Sequence, residues 1–290
     1  MWVLLVNPTS GGGKGKRCAD RVRSILLERK DEFIEVSGRN FQDAATKFND
    51  VIKANSSRID GVVVVGGDGM VHMAIQELAG TDMPMALVPA GTGNDFARSL
   101  NLNLKDPFSV LELTRNSRPV KTDLGKISDR YFADILSTGF DSIVNERANG
   151  MRFVKGRMKY NIAILLELST FKPQTYRFQV DAIEFTTKAM LIAVSNGQSY
   201  GGGMRVTPDA RVDDGLFDIM ILGPVSKIEF LKVFPKVFSG QHVKHPAVKI
   251  MRGKKVTIES KAVAYADGER IGALPITAEI ASGAIMTWRN

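Results

Sequence analysis

Over roughly the first 120 positions, short apolar runs alternate with longer stretches in which apolar residues recur every third or fourth place. "WVLLVNP", "EFIEVSG", "GVVVVGG" and "PMALVPAG" are β-branched or aliphatic runs of strand length. Between them, "KGKRCADRVRSILLERK" puts Val22, Ile25 and Leu26 on one helical face. Helices are also predicted near Gln42 to Ala54 and from Met70 to Leu78, and "NDFARSLN" opens another. Strands alternating with helices predict parallel βαβ units with right-handed crossovers. Nearly continuous apolar strands predict a sheet covered on both faces.

The pattern changes after about Pro119. "RYFADILSTGF", "YRFQVDAIEFTT", "KAMLIAVSN", "LFDIMIL", "KKVTIES", "AVAYADGE" and "PITAEIA" read as strands separated by Gly, Asp and Pro turns. Only Lys159 to Ser169 and Ser226 to Phe238 read as helices there. The expected fold is an α/β domain over 1–122 and a β-rich, sandwich-like domain over 123–290, with the last strand available to pack back on the first domain. No internal repeat or low-complexity segment interrupts either.

Composition narrows the picture only a little. The 290 residues are 44% hydrophobic and 24% charged, as in a globular protein. Thirty-nine Lys and Arg against 31 Asp and Glu leave a formal charge of +8. That suits an anionic partner such as nucleotide, nucleic acid or acidic membrane without choosing among them. The single cysteine, Cys18, excludes an internal disulfide and fits a reducing compartment. The N-terminus lacks a basic leader and its apolar run stops at Asn7-Pro8, so it reads as a first strand rather than a signal peptide. No stretch has the ~18 apolar residues of a membrane span.

Candidate chemistry lies in three turns where strands meet helices: "NPTSGGGKGK", "GGDGMVH" and "PAGTGNDFAR". In an open parallel sheet, ligands sit at the carboxyl ends of the strands. Glycines there let backbone N–H groups approach phosphate oxygens. Two common phosphate fingerprints fail. The P-loop spacing from Gly11 needs a glycine where Lys16 stands, and G-x-G-x-x-G from Gly11 or Gly91 ends on Lys16 or Phe96.

"NPTSG", "GGDG" and "GTGNDFAR", followed by "DARVDDGLFDI", "FSGQHVKHP" and "YADGE", resemble the diacylglycerol kinase, sphingosine kinase and NAD kinase superfamily. The similarity is greatest to the bacterial soluble diacylglycerol and lipid kinases, and the motifs run in order along nearly the whole chain. The resemblance implies ATP bound between two domains, with its γ-phosphate passed to a lipid hydroxyl. It assigns nucleotide contacts to Asn7, Pro8, Thr9, Ser10 and Gly11, to Gly66, Gly67, Asp68, Gly69, Met70, Val71 and His72, to Thr92, and to a position near Ser37. On this reading Asp68 stands on a glycine turn to meet Mg²⁺ and phosphate without obstruction; on its residues alone it is equally a helix cap.

Mg²⁺ takes carboxylate and water ligands. Asp68 and Asp95, on neighbouring strand ends, are expected to converge on it, with Asp123 a weaker member of the set. A lipid alcohol must also lose its proton. By resemblance Glu269 accepts that proton and Asp267 orients the network, whereas Asp-Gly alone reads as a hairpin turn. The resemblance further implies a structural Mg²⁺ held by the carbonyls of Arg211 and Leu216 and the carboxylate of Asp214; the same residues alone read as another turn.

His242 and His245 are too few for a zinc site, and the methionines read as core filler. "GGGM" at Gly201 to Met204 shapes a cleft or is a plain loop. Phe230, Leu231, Phe234 and Phe238, flanked by Lys227, Lys232 and Lys236, read as a core-packing helical face, with membrane contact as the alternative. Met70 and Met73 depart from the resembled pattern, which has a hydroxyl and a carboxylate there.

The expectation is a cytoplasmic, ATP- and Mg²⁺-dependent lipid kinase that visits the inner membrane face transiently. No nucleic acid is expected, and a second copy of the chain is an allowed partner. The alternatives are an NAD kinase or a weakly catalytic nucleotide- or lipid-binding regulator. A basic segment, Arg147, Arg152, Lys155, Arg157 and Lys159 interleaved with Met151, Phe153, Val154 and Met158, is the candidate membrane contact.

Overall fold

The computed structural model describes residues 1–151 and 157–290. Most of the candidate membrane segment, namely Arg152, Phe153, Val154, Lys155 and the side chains of Arg157, Met158 and Lys159, lies outside the described residues. The chain divides into two compact units. One comprises Met1–Leu124, Val212–Gly215 and Ala281–Asn290; the other comprises Gly125–Arg211 and Leu216–Ile280.

The first unit runs β1 (Trp2–Val6), α1 (Ser10–Glu28), β2 (Phe33–Val36), α2 (Phe41–Asn55), β3 (Gly61–Gly66), α3 (Asp68–Leu78), β4 (Met85–Pro89), α4 (Asp95–Ser99) and α5 (Ser109–Asn116). Strands β2, β1, β3 and β4 pair in that order, all parallel. Val3 to Val6, Val62 to Val65 and Ala86 to Val88 are almost wholly buried. That is the signature of a parallel sheet covered on both faces. Helix α1 contributes Val22 and Leu26, and α2 contributes Phe48. The side chain of Asn40 caps α2 by accepting from Asp43 N at 2.9 Å.

Strand β5 (Val120–Ile127) leads from the first unit into the second. The second unit continues with β6 (Arg130–Phe132), β7 (Ile135–Gly139), α6 (Phe140–Gly150), α7 (Arg157–Thr170), β8 (Gln174–Val180), β9 (Ile183–Ala189), β10 (Leu191–Ser195), β11 (Phe217–Leu222) and α8 (Lys227–Val233). Two short 3₁₀ helices, β12 (Val248–Gly253), β13 (Lys255–Glu259), β14 (Val263–Ala266) and β15 (Glu269–Ala273) follow, and β16 (Ile276–Thr287) returns to the first unit. One sheet has the order β12-β11-β10-β7-β14-β15, with its pairs antiparallel. A second antiparallel ladder joins β9, β8, β13 and the start of β16. Inward side chains of the two sheets, among them Phe132, Phe178, Phe217, Ile192, Val256 and Ile258, form one buried cluster, the core of a sandwich.

Two sequence expectations are corrected. "RYFADILSTGF" is not one strand: it breaks after Phe132, resumes at Ile135, and becomes helix α6 at Phe140. The passage from strand to helix falls at Gly139, whose φ of 96° redirects the chain. A β-carbon there would lie 2.5 Å from Met190 O and 3.0 Å from the Tyr176 hydroxyl. Helix α1, read from its first lysine, formally includes Gly11, Gly12 and Gly13 at φ of 55°, 67° and 94°, so its regular turns begin only after them.

Candidate active site

The three glycine-rich turns all lie at the carboxyl ends of β1, β3 and β4, on one edge of the parallel sheet. After β1, Asn7 Oδ1 accepts from Thr9 N at 3.1 Å and Thr9 Oγ1 at 2.9 Å, and Lys16 N donates to Pro8 O at 3.1 Å. This fixes Pro8, Thr9 and Ser10 over the sheet edge. Gly11 is required by contact, since a β-carbon there would meet Ala90 O at 2.4 Å. Over Gly12, Gly13 and Gly69, by contrast, a β-carbon would enter open space.

The second and third turns interlock backbone to backbone. Ala90 N donates to Gly66 O at 2.8 Å. A β-carbon on Gly91 would sit 2.5 Å from the Gly67 α-carbon, and one on Gly67 would sit 2.9 Å from the Gly91 α-carbon. Asn94, left-handed at φ 54°, closes the third turn on itself: its Oδ1 accepts from Gly91 N at 2.8 Å and its Nδ2 donates to Gly91 O at 3.0 Å. Thr92 is left exposed at the tip.

Asp68 opens α3 and reaches the start of the next helix. Its Oδ1 accepts from Asp95 N at 2.7 Å and Phe96 N at 3.4 Å, at the start of α4. The structure therefore brings Asp68 and Asp95 together, with Asp95 buried and Asp68 partly exposed. Val71 and His72 are buried on α3. Met70 and Met73, the departures from the resembled pattern, are also buried, and Met70 covers Gly66: a β-carbon on Gly66 would lie 2.4 Å from Met70 Cγ. Ser37, just past β2, is exposed beside a cleft of about 370 Å³ that it lines with Glu35, Val36, Lys47, Asp50 and Val51.

Asp123 lies on β5. Its Oδ2 accepts from Gly215 N at 2.8 Å, its Oδ1 accepts from Gly283 N, and its own N–H donates to Val212 O at 2.7 Å. It fastens β5, the "DDG" turn and the C-terminal segment within the first unit. In that turn Gly215 is left-handed at φ 71°, Asp213 pairs with Arg289 at 2.8 Å, and Asp214 is partly exposed. Arg211 and Leu216 flank the turn.

In the second unit, Asp267 and Gly268 form the two-residue turn between β14 and β15, at φ 49° and 84°. Both are left-handed, as a primed hairpin turn requires. The Asp267 carboxylate reaches across to the segment before β7: Oδ2 accepts from Ala133 N at 2.6 Å, and Oδ1 from Asp134 N and Ile135 N at 3.0 and 3.1 Å. Both its oxygens are thus held by backbone. Glu269, two residues on, is exposed at the start of β15.

A further polar group escaped the sequence reading. On the first turn of α6, Asp141 Oδ2 accepts from Ser137 Oγ at 2.6 Å and Asn145 Nδ2 at 3.0 Å. Desolvation raises its carboxyl above the ordinary value, against bonds from Ser137, Tyr200 and Asn145 that lower it. The local signal was only Asp141 and Asn145, one helical turn apart on α6; Ser137 reaches Asp141 from the end of β7. The histidines have plain partners: buried His242 Nε2 meets Val206 O at 3.0 Å, and His245 pairs with Glu229 at 3.1 Å.

Fit to the groups that the resemblance implies rests on this geometry. Open space over Gly12, Gly13 and Gly69 beside backbone-packed Gly67 and Gly91 is a cradle that admits phosphate. Among the described residues there is no group of three or more His, Cys, Asp or Glu able to hold a metal. Two adjacent carboxylates suit the sparse protein coordination of Mg²⁺ carried on a nucleotide.

Comparison with known proteins matches residues 1–127 to the Diacylglycerol kinase catalytic domain and residues 134–288 to the YegS C-terminal NAD kinase beta sandwich-like domain. A diacylglycerol kinase of Mycobacterium tuberculosis (strain CDC 1551 / Oshkosh) is 39% identical over 287 residues, covering 97% of this chain and 91% of the relative. One of Bacillus subtilis (strain 168) is 26% identical, covering 94% and 90%. The crystal structure of a diacylglycerol kinase from Bacillus anthracis str. Sterne shares the fold, with a TM-score of 0.72 at 21% identity over 100% of this chain and 96% of that one. With both of its units matched in order and a relative this similar over nearly its full length, the chain belongs to the diacylglycerol kinase family.

Proposed function

We propose that this protein transfers the γ-phosphate of ATP, with Mg²⁺, to the hydroxyl of diacylglycerol or a similar lipid alcohol. The observation that carries the reading is the interlock of Gly67-Asp68 with Gly91–Asp95, which sets two carboxylates beside a glycine cradle at the sheet edge. Asn7 to Gly11, Gly66 to His72, Thr92 and Ser37 are the nucleotide-binding positions, and Asp68 with Asp95 would hold the metal. Mg²⁺, when bound, supplies charge neutralisation on the phosphates during transfer. Glu269 accepts the proton of the lipid hydroxyl. Asp267, its carboxylate taken up by three backbone amides, fixes the hairpin that presents Glu269. Asp214 with the carbonyls of Arg211 and Leu216 holds a second, structural Mg²⁺.

A weakly catalytic regulator is the second reading, carried by Met70 and Met73, which stand where the resembled pattern has a hydroxyl and a carboxylate; both are packed in the interior, with Met70 seated over Gly66. Among the described residues no helix is long and apolar enough to cross a membrane, so a bilayer substrate is reached from the surface. The test is phosphorylation from radiolabelled ATP across a panel of lipid alcohols and NAD, with and without a Mg²⁺ chelator. Label in a lipid product, lost with the chelator, is expected. Label in NAD alone would overturn the reading.

A further inference from the structure

Helix α8 opens on a capping box: Ser226 Oγ accepts from Glu229 N, and Glu229 Oε2 accepts from Ser226 N. It runs directly into a 3₁₀ helix over Phe234–Ser239. One side of this pair serves the core of the second unit. Phe230 and Val237 are buried, and Phe230 packs on Phe234 at 5.6 Å and edge-on to Phe140 at 5.1 Å. The expected core face is therefore divided: Phe230 and Phe234 pack inward, whereas Leu231 and Phe238 do not.

The other side is apolar as well. Ile228 is 68% exposed, Leu231 46% and Phe238 54%. Lys227, Lys232 and Lys236, all exposed, are interleaved with them. Between Gly223 and Gly253 the only acid is Glu229, and it is bound in the cap and to His245 at 3.1 Å. The face is thus cationic, with three large apolar side chains standing out of it. Lys227 reaches back to Ser169 O, which brings the end of α7 alongside, where Leu166 is a further exposed apolar residue at 47%.

The chemistry of this face selects its partner. Protein–protein interface cores are depleted of lysine, whereas here Ile228, Leu231 and Phe238 each have a lysine within one helical turn. An anionic bilayer suits that alternation. Apolar side chains enter the boundary between headgroups and acyl chains, while lysine stems extend so that their ammonium groups stay at the lipid phosphates. We propose that α8 and the 3₁₀ helix after it dock the protein on an anionic membrane surface through Ile228, Leu231 and Phe238, with Lys232 and Lys236 on the lipid headgroups. The inference rests on the proposed function in one respect, that the substrate resides in a bilayer.

The experiment is co-sedimentation of the full chain, without nucleotide, with phosphatidylcholine vesicles containing or lacking phosphatidylglycerol. Binding to the anionic vesicles that weakens with salt is expected. Lys232→Gln with Lys236→Gln should weaken it by about thirtyfold, from the contribution of a lysine near an anionic surface. Ile228→Ser, Leu231→Ser and Phe238→Ser together should abolish it, and because these side chains are exposed the variant keeps its fold, checked by circular dichroism. Both variants should keep the parent's activity on a dispersed short-chain diacylglycerol. Unchanged vesicle binding in either variant, or equal binding of the parent to neutral vesicles, would overturn the docking surface. So would an effect confined to a monomer–dimer equilibrium in sedimentation velocity, which would mark self-association instead. A parent that docks but phosphorylates no lipid defeats the proposed function and leaves the docking surface standing.

Discussion

Asp267 and Glu269 are two residues apart, and the structure gives them different work. Asp267 accepts from the amides of Ala133, Asp134 and Ile135. Asparagine has one acceptor oxygen and would turn an amide group toward a backbone donor. Asp267→Asn is therefore expected to cost about 2–3 kcal/mol of stability, read by urea denaturation, because a charge-assisted cluster is broken. Glu269 is exposed, so Glu269→Gln should leave stability within about 0.5 kcal/mol. It should lower kcat by about 10²–10⁴ with nucleotide affinity intact. Equal loss of stability in both variants would remove the distinction. Asp68→Asn keeps an oxygen for Asp95 N and Phe96 N, so the fold survives. The rate should fall by about 10²–10³, the cost of removing one electrostatic contact to the transition state. A folded Asp68→Asn protein of full activity would take Asp68 out of the site.

The glycine turns test themselves at the scale of elements. Gly69 lies inside α3 with ordinary helical backbone and open space over it. Gly69→Ala should therefore stabilise the protein by about 0.5–1 kcal/mol. If phosphate occupies that space, the added methyl should at the same time weaken binding of an ATP analogue. Gly91→Ala is the opposite case: its β-carbon would meet the Gly67 α-carbon at 2.5 Å and Asn94 Oδ1 at 2.8 Å. It should lose about 1–3 kcal/mol by overpacking, and nucleotide affinity with it. Calorimetric titration beside thermal denaturation separates the two. Unchanged nucleotide affinity in Gly69→Ala would move the phosphates away from this turn.

At the scale of the molecule, each unit has its own reporter. Both tryptophans, Trp2 and Trp288, belong to the first unit, with rings 5.9 Å apart. Intrinsic fluorescence thus reads that unit. Asp123 ties β5 to Gly215 and Gly283, so Asp123→Asn should shift the fluorescence transition by about 2–3 kcal/mol. An unmoved transition would make the contacts of Asp123 incidental. In the second unit, burial lowers the His242 pKa below the ordinary imidazole value, outweighing its bond to Val206. The folded state resists a proton that the unfolded chain accepts. Stability from this group is therefore present above about pH 6.5 and lost as pH falls through the lowered folded value. His242→Gln should flatten that acid limb in circular-dichroism melts; an unchanged limb would exclude His242 as its source.

How much of this was legible in sequence follows from the range of the forces involved. Parallel strands buried on both faces announce themselves, because every position in β1, β3 and β4 must be apolar. The glycine turns are legible for a similar reason: backbone that must approach backbone or phosphate admits no side chain. The motifs carry the family for that reason, and "GTGNDFAR" reads as a turn from its residues alone. What only the tertiary structure decided were contacts between residues remote in the chain. Asp68 accepts from the start of α4, Asp123 from residues 92 and 160 positions away, and Asp267 from residues more than 130 positions earlier. No local periodicity encodes such pairings. The Phe230 helix shows the same limit: sequence gives its amphipathic spacing, but which apolar side chains turn inward depends on where Phe140 stands. The strand ending in "STG" passes directly into helix α6 at Phe140 because Gly139 takes a positive φ, pressed against Met190 O in the folded sheet.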